Sequence, residues 1–118
     1  ASSTTDNSGG LGAVLCDIDK NGLIDLDQAE SLINKNTVAI CPTHLNGVVV
    51  DIQRLNFLKE QYDLRVVEDA AQVLGALDAN LEAPGSCDVG GAISFYPAKV
   101  LGCLGDGGAI ITNDAGFF

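Results

Sequence analysis

The chain has no methionine and no tryptophan, only three prolines, a single histidine, and 6 basic residues against 16 acidic ones in 118. Each scarcity excludes something. A native translation product begins with Met, so a chain without one is expected to be processed or to be a piece of a longer protein. At a formal charge of −10 the chain is a poor match for nucleic acid, whose phosphates need Lys and Arg to neutralise them. An anionic membrane surface is disfavoured for the same reason. No apolar run approaches the roughly 20 residues of a membrane-spanning helix. Residues 1–10 are polar and lack the basic start and apolar centre of a signal peptide. The four cysteines, Cys16, Cys41, Cys87 and Cys103, form no Cys-x-x-Cys pair, and with His44 their spacing does not suit zinc. They read as reduced, buried small hydrophobes of a cytoplasmic protein.

What the chain does have is apolar bulk and glycine. Its hydrophobic fraction of 47% and mean hydropathy of +0.24 suit one domain, or part of one, with a real core. Apolar runs predict strands over residues 12–18, 37–41, 64–68, 92–95 and 108–113. Helical spacing predicts a helix from an Asp25 or Asp27 cap to about Lys35, and another after Asp51 in which Ile52, Leu55, Leu58 and Tyr62 recur. A third, short helix is predicted over residues 70–77. Strands alternating with helices indicate the α/β class. Continuous apolar strands further predict a mostly parallel sheet in three layers, with helices on both faces. Ligands in such sheets bind at the carboxyl ends of the strands.

Two constellations carry candidate chemistry. The first, from Asp17 to Gln28, follows a calcium loop: oxygen-bearing residues at Asp17, Asp19, Asn21 and Asp25, a glycine at Gly22 and an aliphatic Ile24. Against it, Gln28 stands where a bidentate carboxylate would close the site, and residues 9–12 make a poor incoming helix. The plainer reading is a strand-to-helix loop in which Asp and Asn turn and cap the backbone.

The second constellation combines Glu68-Asp69-Ala70-Ala71-Gln72 with Ser94 and Lys99. Lys99 follows a strand end and Pro97 and precedes a run of glycines. Asp69 and Gln72 could be no more than a helix cap and its capping-box partner. A lysine able to condense with an aldehyde, a carboxylate for a ring nitrogen and a hydroxyl for a phosphate are also the parts of a pyridoxal phosphate site. His44, alone at a strand end, reads as a structural hydrogen-bonder.

These stretches resemble the DegT/DnrJ/EryC1/StrS family of sugar aminotransferases, a branch of the fold-type I pyridoxal phosphate enzymes. The matching pieces, in order, are Val14-Leu15-Cys16-Asp17-Ile18-Asp19, Ala39-Ile40-Cys41-Pro42-Thr43-His44-Leu45-Asn46-Gly47, Val66-Val67-Glu68-Asp69-Ala70-Ala71-Gln72 with Gly75-Ala76, Ser94-Phe95-Tyr96-Pro97-Ala98-Lys99 with Leu101-Gly102, and Gly105-Asp106-Gly107-Gly108-Ala109-Ile110-Ile111-Thr112-Asn113. Asn46 departs from the pattern, standing where many relatives have an aromatic residue.

The resemblance implies that residues 1–118 are the central part of a pyridoxal phosphate-binding large domain, without its opening segment and without the smaller C-terminal domain. It implies pyridoxal 5′-phosphate as cofactor, with Lys99 forming the internal aldimine, Asp69 pairing with the ring nitrogen, Gln72 near the ring's phenolic oxygen and Ser94 on the phosphate. It also implies a nucleotide-linked keto-sugar as substrate, glutamate as amino donor and a homodimer that shares its sites. A pyridoxal phosphate-dependent sugar dehydratase is the alternative within the family, but such enzymes replace the lysine by histidine. A non-catalytic module, calcium-binding or merely dimeric, is the alternative outside it.

Overall fold

The computed structural model describes residues 12–117. Residues 1–11 and 118 lie outside the described residues. Four strands form one sheet in the order β1-β2-β3-β4: β1 Ala39–Ile40, β2 Arg65–Asp69, β3 Gly90–Ser94 and β4 Gly108–Ile111. The first three are parallel, and β4 returns antiparallel to β3. Two helices, α1 Leu26–Leu32 and α2 Ile52–Tyr62, complete an α/β unit with a mostly parallel sheet.

Both helices begin on aspartates, as the sequence predicts. Asp25 accepts from the Asp27 and Gln28 N–H groups, and Asp51 from that of Arg54. Each cap satisfies donors that the first helical turn leaves unpaired. On α2 the side chains of Ile52, Leu55 and Leu58 are fully buried. Leu55 and Leu58 pack with Ala29 of α1 and with Ile40 and Val66 of the sheet in one core, joined by Leu23, Val50 and Cys87. A smaller cluster of Ala70, Val73 and Ile93 lies at the carboxyl ends of β2 and β3.

Burial along the strands alternates, Val66 and Glu68 inward and Arg65, Val67 and Asp69 outward on β2. The α/β class and the mostly parallel sheet are as the sequence predicts, and among the described residues both helices cover the face of Ile40 and Val66. The opposite face carries Ala39, Cys41, Val67, Ala92 and Ile110, all exposed.

Four expectations change. Residues 12–18 are not a strand: among the described residues no neighbour offers them a ladder, Leu15 is 88% exposed, and an isolated bridge joins Ile18 to Ile24. Residues 70–77 are consecutive turns, with Val73 N–H bonded to Ala70 O and Ala76 N–H to Val73 O. Gly75 at φ +81 takes the left-handed conformation that ends a helix. Helix α1 stops at Leu32 rather than Lys35. Of the cysteines only Cys87 is buried; Cys41 is exposed because the alternation of β1 turns it to the open face, and Cys16 and Cys103 are half-buried.

Candidate active site

The carboxyl ends of β2 and β3 lie side by side, and three of the four residues singled out from the sequence gather there. Asp69 closes β2 and Ser94 closes β3. The register pairs Asp69 with Ala92, and Ser94 lies two residues further on the same strand. Side chains two apart on a strand share a face, so Asp69 and Ser94 project from the open face of neighbouring strands. Lys99 lies in the turn that follows β3, its N–H donating to Tyr96 O at 2.8 Å, and its side chain is half-buried.

Each group keeps binding capacity in reserve. Asp69 Oδ1 accepts from Ala71 N–H at 3.0 Å, and among the described residues its second oxygen has no donor. Ser94 Oγ accepts from Tyr96 N–H at 3.2 Å and retains its own proton to donate. Lys99 Nζ has no hydrogen-bond or ion-pair partner among the described residues. Gln72 stands slightly apart. It is no capping-box partner, because Asp69 N–H is taken by Pro42 O. Its Oε1 instead accepts from Asn46 N–H at 3.3 Å, which directs its NH₂ donors away from that turn. No hydrogen bond joins any two of Asp69, Gln72, Ser94 and Lys99 among the described residues.

The backbone around Lys99 is built for close approach. Phe95 N–H donates to Gly107 O and Cys103 N–H to Phe95 O, both at 2.8 Å, folding the loop of residues 96–107 back on the end of β3. A Cβ on Gly102 would come within 2.7 Å of Pro97 O, so glycine is required where the loop crosses the turn that carries Lys99.

Directly beneath Asp69, on the other face of β2, is a pair whose meeting the sequence did not announce. Glu68 and His44 are both fully buried, with Nε2 of His44 at 2.8 Å from Glu68 Oε2. Val50 N–H donates to His44 Nδ1 at 3.0 Å, so the imidazole carries its proton on Nε2 and donates it to Glu68. Gly85 N–H and Cys87 N–H add two bonds of 2.9 Å to the same carboxylate. Burial pushes the Glu68 carboxyl up, but the His44, Gly85 and Cys87 donors together outweigh it and hold it below the usual carboxylate range. His44 is thus structural, as its lone strand-end position suggests. Period-two alternation was the available signal for Glu68: adjacent residues of a strand face opposite ways, so Glu68 and Asp69 cannot both look into one site.

The calcium constellation is not assembled. Asp19 Oδ1 accepts from the Asn21 and Leu23 N–H groups of its own loop, Asp25 caps α1, and Gln28 Oε1 accepts from Asp17 N–H. No group of three or more His, Cys, Asp or Glu side chains is placed to hold a metal ion among the described residues.

Residues 1–117 match the DegT/DnrJ/EryC1/StrS aminotransferase family. A dTDP-3-amino-3,4,6-trideoxy-alpha-D-glucose transaminase of Micromonospora megalomicea subsp. nigra is 45% identical over 97 residues, 81% of this chain and 25% of that protein. The crystal structure of a DegT DnrJ EryC1 StrS aminotransferase from Brucella abortus superposes with a TM-score of 0.78 at 38% identity, over 88% of this chain and 30% of that one. NtdA of Bacillus subtilis, solved with bound cofactor PMP, superposes with a TM-score of 0.70 at 34% identity, over 80% and 21%. The chain therefore spans about a quarter of the length of such relatives.

Proposed function

The chain belongs to the DegT/DnrJ/EryC1/StrS aminotransferase family, and we propose that it supplies the cofactor-binding centre of a pyridoxal phosphate-dependent transaminase acting on a nucleotide-linked keto-sugar. The observation that carries this reading is the placement of Asp69 and Ser94 on one face at adjacent carboxyl ends, with Lys99 in the turn beyond. The donor set suits that cofactor. Bound there, pyridoxal phosphate would act as an electron sink for the carbon that loses a proton.

The chain's own residues supply the rest. Asp69, steadied at Oδ1 by Ala71 N–H, offers its other oxygen to a protonated ring nitrogen. Ser94 donates its hydroxyl proton to a phosphate oxygen. Gln72, with Oε1 occupied by Asn46 N–H, presents NH₂ donors to a phenolic oxygen. Lys99 provides the primary amine for covalent attachment and, when released, a base that moves the substrate proton. Lysine rather than histidine at position 99 favours transamination over dehydration.

The relative named for a dTDP-sugar supports a nucleotide-linked substrate, and glutamate is the proposed amino donor. The exposed apolar side chains of Tyr96, Val100, Leu101 and Leu104 beside the site suit burial against a second copy, and a homodimer is proposed. Four free thiols suit a reducing, cytoplasmic setting.

The test is to mix the purified protein with pyridoxal phosphate, reduce with borohydride and map the peptides. A pyridoxyl group on Lys99, absent from Lys99→Ala and weakened in Asp69→Asn, is expected. Labelling of Lys35 or Lys59 in preference to Lys99, in protein with native circular dichroism, would overturn the assignment.

A further inference from the structure

The sequence contains two Asn-Gly pairs, Asn21-Gly22 and Asn46-Gly47, and their surroundings differ in the features that control imide formation. In that reaction the glycine backbone nitrogen attacks the asparagine side-chain carbonyl carbon and gives up its proton. Ammonia leaves, and a cyclic imide closes. Water then opens the imide at either carbonyl, leaving aspartate or isoaspartate. Glycine permits it because no side chain hinders the attacking nitrogen.

At the first pair both reactants are engaged. Gly22 N–H donates to Asp19 O at 3.0 Å, and Asn21 Nδ2 donates to Asp19 Oδ2 at 3.1 Å. The Asp19 carboxylate, held below its usual range chiefly by Leu23 N–H, also places negative charge beside the nitrogen that must lose a proton.

At the second pair both are free. Asn46 and Gly47 are exposed. Among the described residues the Asn46 side chain has no hydrogen-bond partner and Gly47 N–H has no acceptor. A Cβ built on Gly47 or on Gly22 meets nothing within 4 Å, so the hydrogen bonds, not crowding at the glycine, distinguish the two pairs. The pair forms the two central residues of a hairpin turn, with φ of 54° and 80°, the positive values that Asn-Gly favours. Between Leu45 and Val48 that turn is closed by one isolated bridge, with bonds of 3.1 and 2.9 Å, and Asn46 N–H adds a longer bond of 3.3 Å to Gln72 Oε1. A single isolated bridge opens at small free-energy cost, and opening lets the backbone reach the geometry of attack.

We propose that, of the two Asn-Gly pairs, Asn46 is the site of spontaneous deamidation and isomerisation, and that Asn21 is protected. The reaction needs only water, and it does not depend on the function proposed above. Its consequence does. Asn46 N–H holds Gln72 Oε1, so isoaspartate, which adds a carbon to the main chain, breaks the two-residue turn and moves that donor. Conversion to aspartate adds a negative charge at the same place.

The experiment is a time course of the purified protein at mildly alkaline pH, digested with trypsin and followed by mass spectrometry. Cleavage after Lys20, Lys35 and Arg54 separates Asn21 (residues 21–35) from Asn46 (residues 36–54), so each serves as the other's control. The mass gain of NH₂ becoming OH is expected at Asn46 severalfold sooner than at Asn21, and sooner still as pH rises. Gly47→Ala should slow it severalfold at position 46 and leave position 21 unchanged. Equal rates at the two sites, a faster Asn21, or an undiminished rate in Gly47→Ala would each overturn the proposal. The borohydride mapping on Lys99 is read separately, so failure of one does not touch the other.

Discussion

Glu68 accepts three hydrogen bonds from three separate segments, the His44 ring, Gly85 N–H and Cys87 N–H. It is the one buried charge that ties the start of the hairpin turn, β2 and the loop before β3 into a single piece. The approach is close enough that a Cβ on Gly91 would fall 2.6 Å from Gly85 Cα. Glu68→Gln keeps the shape but turns an NH₂ group toward donors, and leaving a buried donor unsatisfied costs about 1–3 kcal/mol. Urea unfolding at neutral pH should show a loss of that order.

The same residue sets a pH dependence. The folded state holds the Glu68 carboxyl below its unfolded value, so its contribution is complete above the unfolded value. It is lost as pH falls through that value, near 4.3 for a free Glu, toward the folded one. Wild type should therefore destabilise steeply as pH drops below about 5, by linkage, and Glu68→Gln should lose that part of the slope. An unchanged slope in the variant would assign the acid transition to other carboxylates. Cys87 sits beside this pair, and burial first, then the Glu68 charge, pushes its thiol up to about 12, which leaves it a packing group rather than a nucleophile.

Helix α2 shows how an element is specified at both ends. Asp51 supplies the cap, Ile52, Leu55 and Leu58 the buried stripe, and Asp63 the stop. Asp63 adopts φ 52 and ψ 48, with its N–H and that of Leu64 both bonded to Lys59 O. This is the left-handed termination at which glycine carries no Cβ penalty. Asp63→Gly should thus raise the stability by about 0.5–1 kcal/mol once the greater freedom of the unfolded glycine is subtracted, and the unfolding midpoint with it. A drop measured by thermal melting would mean that the Asp63 side chain contributes contacts the backbone geometry does not reveal.

Such end signals explain what was legible in the sequence. The two aspartate caps and the 3.6-residue spacing of apolar groups placed both helices, because those causes are local. Residues 12–18 looked like a strand because Val14, Leu15 and Ile18 are apolar and β-prone, yet a strand exists only where a partner offers a ladder, and partners are not encoded locally. Residues 70–77 carried helical spacing at Ala70 and Val73, and Gly75 overrode it. At the site, Asp69, Ser94 and Lys99 were legible as strand-end residues with chemistry. The Asn46 contact to Gln72 was not, since 26 residues separate the two and nothing in either stretch announces the meeting. The Asn-Gly pair itself was the only local hint that a tight turn stood there.

At the scale of the whole molecule the sheet is one-sided among the described residues. Val66 and Val67 are adjacent in sequence and chemically identical, yet Val66 is 0% exposed and Val67 42%. The helices that could cover a sheet lie on the Val66 side, and the register carries that sidedness from Ile40 across to Ile93. Burial of a valine side chain is worth about 1.5–3 kcal/mol. Val66→Ala in the 118-residue chain should therefore lower stability by about 2 kcal/mol, cavity included. Val67→Thr, which leaves volume nearly unchanged on a face open to water, should stay within about 0.5 kcal/mol. Chemical unfolding of the pair measures both. Val67→Thr costing as much as Val66→Ala would show that the open face is covered in solution, and the apolar row of Ala39, Cys41, Val67, Ala92 and Ile110 would then belong to a second core. If only Val66→Ala is costly, the sheet stands on one layer of helices, and the face that carries Asp69 and Ser94 remains free to receive a ligand.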